Sequence, residues 1–383
     1  MRITLGRIEA LDGLRGWAAM AVVVHHLFIS GGGEVIALGH PIGILIMKLA
    51  LFGRHGVDFF FVLSGFLITS ILLESRTDKS YFRTFHVRRM LRILPLCYGC
   101  LLVVFVLIPW LTHGASQWVT PLKTQVFFWT FTNNVLCFID GVAFPIAPAY
   151  NLVHFWALAV EEQFYLVWPF LVFLLSPRGI VRTSLLLIVV AVLTRAGMEV
   201  VGFHTQIWYF TFARVDALAV GTCLAAVRFE NGWSWEAVKR VAPQSLLLLA
   251  VLTGGLALVP RSMCVGTIEV LRYLVFALFF GSLVVVCVAD QGSGALLKVI
   301  SNPASRRLGE YSYGIYVYHG LLIPCFGIWF RPESIACRAQ SQVAGLVWYM
   351  LWATAVSVAL AAVSYHLYEK PIVNLKRHFP YGR

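Results

Sequence analysis

The chain has 383 residues and a mass of 42.8 kDa; 59% are apolar, only 13% are charged, and the mean hydropathy is +0.80. A soluble domain carries about 25% charged residues, so 30 Lys and Arg with 18 Asp and Glu exclude a soluble globular protein. Its 28 Phe, 12 Trp and 14 Tyr exclude disorder and collagen, its 8 Cys exclude a small disulfide scaffold, and its net charge of +12 raises the question of an anionic partner.

Apolar runs of about 20 residues are too long for barrel strands, which need only about 9–11. The chain therefore reads as an all-α integral membrane protein, a polytopic bundle in one domain over 1–383. Ten spans are expected, at 15–30, 56–73, 93–110, 154–175, 185–200, 208–227, 243–260, 269–289, 311–330 and 343–367. With the N-terminus in the cytoplasm, 21 of the 30 Lys and Arg fall on that side, 8 on the outer side, and Arg214 inside the sixth span. The positive-inside rule then places both termini in the cytoplasm and the chain in the inner, cytoplasmic membrane. The net charge is mostly topology plus attraction to anionic lipid headgroups, and it implies no nucleic-acid partner.

The first span, Trp17 to Ile29, follows Asp12 and Arg15 with no small-x-small cleavage site, so it reads as a retained helix. It carries His25 behind Val22-Val23-Val24. A neutral imidazole there is either a base for a sugar hydroxyl or an ordinary packed histidine. His26 lies about 100° round the helix and is not expected to share that work. Segment 31–55, with Gly31-Gly32-Gly33 and an apolar stretch around Ile42–Phe52, reads as an interfacial or re-entrant piece. Asp58 opens the second span, where a carboxylate either caps the helix or orients His25.

Arg88, Arg89 and Arg92 stand at the entry to the third span, before Pro95. Arg88 and Arg92 are expected on one face, with Arg89 close by. They form either a plain positive-inside cluster or a clamp for the phosphates of a large anionic cofactor. Within 111–153 a helix over 122–139 is expected to dip into the membrane or cap the bundle. His154 opens the fourth span with Leu158 and Glu161 on its face and Glu162 one position round. The two carboxylates either bind a polyhydroxylated substrate or pair with Arg214. Arg214 with Asp216, His319, and His366 with Glu369 complete the ionisable groups at membrane depth, where such groups face a bundle interior or cavity. No HxxxH or HExxH spacing supports a metal. Cys137, Cys264, Cys325 and Cys337 lie near the outer side, where some could pair; Cys97 and Cys100 open a membrane helix, and their spacing reads as chance.

Eight strings in order carry a resemblance. They are Leu11-Asp12-Gly13-Leu14-Arg15 with His25 beyond it, Gly56-Val57-Asp58-Phe59-Phe60-Phe61-Val62-Leu63-Ser64-Gly65, and Arg88-Arg89-x-x-Arg92-Ile93-x-Pro95. Phe131-Thr132-Asn133 and Trp156-x-Leu158-x-x-Glu161-Glu162-Gln163-Phe164-Tyr165 follow, then Arg214-x-Asp216-Ala217, Gly309-x-x-Ser312-Tyr313-x-x-Tyr316-x-x-His319 and, to close, Tyr368-Glu369-Lys370-Pro371. Over about 9–373 the chain resembles the membrane acyltransferase-3 family. The resemblance implies transfer of an acyl group, often acetyl, from cytoplasmic acyl-CoA to a hydroxyl of a surface glycan, lipopolysaccharide or glycosylated small molecule, with no metal. It implies His25 as the catalytic histidine and the arginine motif at Arg89 and Arg92 as the CoA contact. Some members carry a fused SGNH-type domain, which is not expected here because the chain stops at Arg383. A proton-coupled transporter is the alternative, weakened because the polar residues concentrate in the first 165 without matching halves.

Overall fold

A computed structural model describes residues 8–37, 41–140, 146–230, 233–258, 266–290, 294–329 and 341–381. The regular structure of these residues is all helical, with no strand among them. The main helices are α1 (Glu9–Ser30), α2 (Pro41–Phe52), α3 (Gly56–Glu74), α4 (Tyr81–Leu102), α5 (Leu122–Trp129), α6 (Asn133–Asp140) and α7 (Trp156–Leu174). Then come α8 (Pro177–Val201), α9 (Thr211–Phe229), α10 (Trp233–Leu258), α11 (Gly266–Asp290), α12 (Pro303–Trp329) and α13 (Gln342–Ser364). The chain is a multi-pass membrane protein.

Among the described residues eight stretches are long and apolar enough to cross a bilayer, and each overlaps an expected span. The other two expected spans, 15–30 and 311–330, lie in α1 and α12, which start earlier and carry charge in their first turns. These two helices pack on each other. A Cβ on Gly309 would stand 1.9 Å from the Asp12 carbonyl oxygen, so the backbones touch where a side chain would be. In lipid, helix association relies on this close approach of small residues, because burial of apolar surface gains little there. The same device joins α3 to α9, where a Cβ on Gly221 would stand 2.0 Å from the Val62 carbonyl. We expect Gly309→Ala and Gly221→Ala to lower the unfolding temperature of the detergent-solubilised protein. Gly255→Ala, with nothing within 4 Å, should not.

Polar bonds pin the bundle elsewhere. Pro95 sits inside α4, and nearby carbonyls find tyrosine donors: Tyr313 to Ile93 O at 2.8 Å and Tyr368 to Pro95 O at 3.0 Å. Trp168 Nε1 donates to Thr69 Oγ1 at 2.8 Å, holding α7 to α3. Arg195, expected on the outer side, is instead fully buried. It pairs with Asp216 at 2.8 Å and donates to the carbonyls of Ala213 and Val270. Arg272 is likewise buried, close to Glu269 at 3.1 Å. Both lie within the expected spans 185–200 and 269–289, near the ends that the charge count assigns to the outer side.

Two further expectations are corrected. The single helix over 122–139 is two helices, α5 and α6. They part at Phe131, whose φ of +52° is a left-handed conformation that no helix continues through. The stretch before Asp58, expected as an interfacial or re-entrant piece, is continuous with the next span: α2 runs through the 3-10 turn Gly53–His55 directly into α3. Cys137 and Cys325 are free, as are Cys97, Cys100, Cys223 and Cys287; Cys264 and Cys337 lie outside the described residues.

Candidate functional site

Two cavities meet inside the bundle, and Val57 and Tyr316 line both. The first, of about 220 Å³, is walled by Arg15, Arg89, Arg92, Glu161 and Tyr165 over an apolar lining from α3. The second, of about 260 Å³, holds His25, His26, His154, Arg54, Trp156 and Trp208. Tyr316 projects from α12 between them and donates its hydroxyl to the His154 carbonyl. Of the residues the sequence singled out, Arg15, Arg89, Arg92 and Glu161 therefore fall in one chamber and His25 and His154 in the other, with one tyrosine between.

The arginine cavity has a definite internal order. Arg89 and Arg92 stand three apart on α4 and turn to one face. Arg89 lies 4.1 Å from the Tyr165 ring centroid. Tyr165 donates to Ser64 Oγ at 3.0 Å, and Ser64 donates to Glu161 Oε1 at 2.7 Å. Glu161 is thus held among guanidiniums and hydroxyls, and neither it nor Glu162 pairs with Arg214. The expected face shared by Arg88 and Arg92 is also corrected. Arg88 points the other way, donating to the carbonyls of Lys376 at 3.2 Å and Phe379 at 2.9 Å and lying 4.8 Å from the Tyr381 ring. Arg88 anchors the C-terminal segment. In its place the cavity gains Arg15 from α1, beside Asp12.

Asp58 does not orient His25. Its Oδ1 accepts from Arg214 at 2.6 Å and its Oδ2 bonds His55 Nδ1 at 2.8 Å, all three groups being buried. The Arg214 guanidinium lies 4.7 Å from Trp208 and 4.6 Å from Tyr273. Asp58 and Arg214 therefore form one inter-helical pair, and Arg195 and Asp216 another. His55, immediately before the Gly56-Val57-Asp58 string, was missed because a histidine in a tight turn carries no pattern of its own.

The histidines form the second ordered group. His25 and His26 both line the second cavity, with ring centroids 5.0 Å apart, so the angular separation on the helix does not divide their surroundings. His25 Nδ1 is buried and meets no hydrogen-bond partner. His26 Nδ1 lies 3.0 Å from His319 Nε2, and His319 Nδ1 lies 3.0 Å from the Ile315 carbonyl. His154 sits in the 3-10 turn before α7, with Nε2 3.2 Å from the Val317 carbonyl, its ring lying where a Cβ on Gly320 would be.

The remaining named residues are structural neighbours. Asn133 is buried, yet its neighbour Asn134 carries the network, donating to Thr211 and accepting from Gln163, both at 2.8 Å. Glu369 is buried in a π-helical turn and accepts from Ser364 at 3.0 Å, while His366 bonds the Tyr311 hydroxyl at 3.0 Å. Among the described residues no group of three His, Cys, Asp or Glu could hold a metal ion.

Against known proteins, the acyltransferase-3 family, described as an acyltransferase domain, matches residues 8–365. The chain is 30% identical to YrhL of Bacillus subtilis (strain 168) over 95% of its own length and 55% of that relative. It is 27% identical to the O-acetyltransferase OatA of Staphylococcus aureus, over 95% of this chain and 57% of the relative. It is 26% identical to the peptidoglycan O-acetyltransferase OatA of Listeria monocytogenes serovar 1/2a, over 95% and 56%. The chain thus spans a little over half the length of these relatives. No solved structure matches it.

Proposed function

Because this chain belongs to the acyltransferase-3 family, we propose that it moves an acetyl group from acetyl-CoA to a hydroxyl of a sugar in a cell-envelope glycan, with His26 as general base. The observation that carries this reading is the pair of cavities meeting at Val57 and Tyr316. A two-substrate transfer needs an anion-binding chamber and a proton-accepting chamber with one wall between them.

In this reading the arginine cavity takes the donor. Arg15, Arg89 and Arg92 suit phosphate oxygens, and the apolar surface of α3 suits a pantetheine arm. The orientation follows: the arginine end faces the cytoplasm, where acyl-CoA is found, as the charge bias also favours. Arg92→Gln should raise the KM for acetyl-CoA about tenfold, the scale of one lost charge-assisted bond. Arg88→Ala should leave it within about twofold, since Arg88 holds the C-terminal segment.

The choice of base follows from hydrogen-bond direction. A carbonyl only accepts, so His319 Nδ1 carries the proton it shares with Ile315 O. His319 is fully buried, where an ionised ring without a counter-charge is costly, so its Nε2 holds a lone pair. His26 Nδ1 must then be the donor to it, which leaves the lone pair of His26 on Nε2. His26 is a neutral base with its tautomer already set, His319 standing where an acid stands in a triad. The proton of the acceptor hydroxyl passes to His26 Nε2. The oxygen attacks the thioester carbonyl, a C–O bond forms as the C–S bond breaks, and the proton returns to the departing thiolate. His25, with Nδ1 buried and its ring at the Ala50 carbonyl, supports that role less well.

The test is acetyl transfer by the purified full chain with radiolabelled acetyl-CoA and cell-envelope glycan. Acceptor-dependent release of CoA with label in the glycan is expected. Solute counterflow without CoA release would overturn the enzyme reading.

A further inference from the structure

We propose that Lys376, in the C-terminal segment, binds the phosphomonoester of the donor's nucleotide and so selects acetyl-CoA over the form that lacks the ribose 3′-phosphate. This rests on the acetyl-transfer reading and adds a specificity-determining residue outside the arginine cavity.

Beyond α13 the chain passes through the π-helical turn Tyr365–Glu369 and the short helix Lys370–Asn374 into the 3-10 turn Leu375–His378. This segment runs antiparallel to α4. Tyr368 donates its hydroxyl to the Pro95 carbonyl at 3.0 Å, Arg88 donates to the carbonyls of Lys376 and Phe379, and Arg83 lies 5.6 Å from the Phe379 ring. In a 3-10 turn residues three apart are eclipsed, which lets one guanidinium reach the carbonyls of both Lys376 and Phe379. The segment is thus tied to α4 from Pro95 to Arg83, past the level of Arg92 and Arg89. Several ties hold it, so Lys376 keeps its place when Arg88 alone is replaced.

The charges around Lys376 are one-sided. Those acting most strongly on its ammonium are Arg92, Arg89, Arg88 and Arg15, all of its own sign. The cavity arginines are each tempered by acids: Asp12 and Glu161 act on Arg15, Glu161 and Glu162 on Arg89, and Asp12 and Glu369 on Arg92. Among the described residues the Lys376 side chain has neither an ion pair nor a hydrogen bond. Like charges gathered in this way repel, and a bound polyanion relieves the repulsion. The two kinds of cation suit different phosphates. Guanidinium forks match the paired oxygens of a pyrophosphate, whereas an ammonium is a compact point charge that favours the most highly charged single group. A phosphomonoester, at about −1.5 to −2 near pH 7, is that group. Arg92 lines the cavity and Lys376 does not, so Lys376 stands where the nucleotide lies once the pantetheine arm fills the cavity.

The experiment uses the purified full chain in neutral detergent with cell-envelope glycan and two donors, acetyl-CoA and acetyl-3′-dephospho-CoA. The readout is the ratio of kcat/KM for the first donor to that for the second. A ratio of about ten or more is expected, the scale of one charge-assisted bond. Lys376→Gln should bring the ratio near one, and Lys376→Arg should retain most of it. A merely structural role for Lys376 would slow both donors alike and leave the ratio intact, which overturns the proposal, as does a ratio near one in the unaltered protein. Repeating the assay in vesicles with and without phosphatidylglycerol tells the nucleotide phosphate from a lipid one. An effect of Lys376→Gln that appears only with the anionic lipid, equal for both donors, would assign the ammonium to headgroups and overturn the donor assignment. Calorimetric binding of CoA and dephospho-CoA, without acceptor, gives a second readout. Lys376-dependent preference for CoA in a protein that transfers no acetyl group would sink the transfer reading and keep this one; equal binding of the two would sink this one.

Discussion

Replacing His26 by alanine is expected to lower kcat by about 10³-fold, within the range for loss of a positioned general base, while the KM for acetyl-CoA stays within about twofold. His25→Ala is expected to cost less than about tenfold on the same scale. The difference follows from the hydrogen-bond chain and not from the helix position, since both rings line one cavity. His319 makes the prediction sharper. His319→Leu removes the acceptor that fixes His26, so the ring is free to turn or to take the other tautomer. The loss should then appear in kcat and not in the donor KM. His319→Gln restores an acceptor oxygen near the same place and should recover about tenfold or more over the leucine variant. Added imidazole should partly rescue His26→Ala and not Arg92→Gln. Steady-state kinetics on folded, monodisperse protein decide the matter. An inactive His25→Ala beside a fully active His26→Ala would reverse the assignment.

Much of this architecture was legible because charge is scarce in the chain. Each ionisable residue at membrane depth must be paid for by a partner or a cavity, so naming them came close to naming the interior. Arg89, Arg92, Glu161, His154 and His25 indeed line the two chambers. What the sequence could not supply was which partner each one meets. Asp58 lies 33 positions beyond His25 in the chain, and nothing in the string reveals that its oxygens are taken by Arg214, from α9, and by His55, three residues before it. Arg88 and Arg92 share an idealised helical face, but the choice between Arg88 and Arg89 depends on where the C-terminal segment crosses. His319 was named as a polar residue, yet its link to His26 joins the first helix to the twelfth across 293 positions. Arg54 went unremarked as chemistry because it stands in a short turn whose place is set by the touching backbones of Gly53 and Ala21. Periodicity identifies faces; register between distant helices lies in packing.

Asp58→Ala is expected to destabilise the solubilised protein by about 3–5 kcal/mol, the scale for breaking a buried ion pair from one side. The surroundings of Arg214 explain the size. Its guanidinium is buried among Trp156, Trp208 and Tyr273 and pairs with Asp58 at 2.6 Å. Removing the carboxylate leaves a desolvated charge that aromatic faces compensate only in part, and it also strips His55 of its partner. The double variant Asp58→Asn with Arg214→Gln removes both charges at similar volume and should recover most of the lost stability. That recovery separates the pair from a catalytic role. If Asp58 acted as the orienting acid of the base, Asp58→Asn would unfold at the wild-type temperature and lose only kcat. If it is one half of a helix-joining pair, the unfolding temperature falls in each single variant and returns in the double. Activity should then follow the folded fraction, because the base in the proposed reading is His26, which His319 holds, and Asp58 bonds neither His25 nor His26.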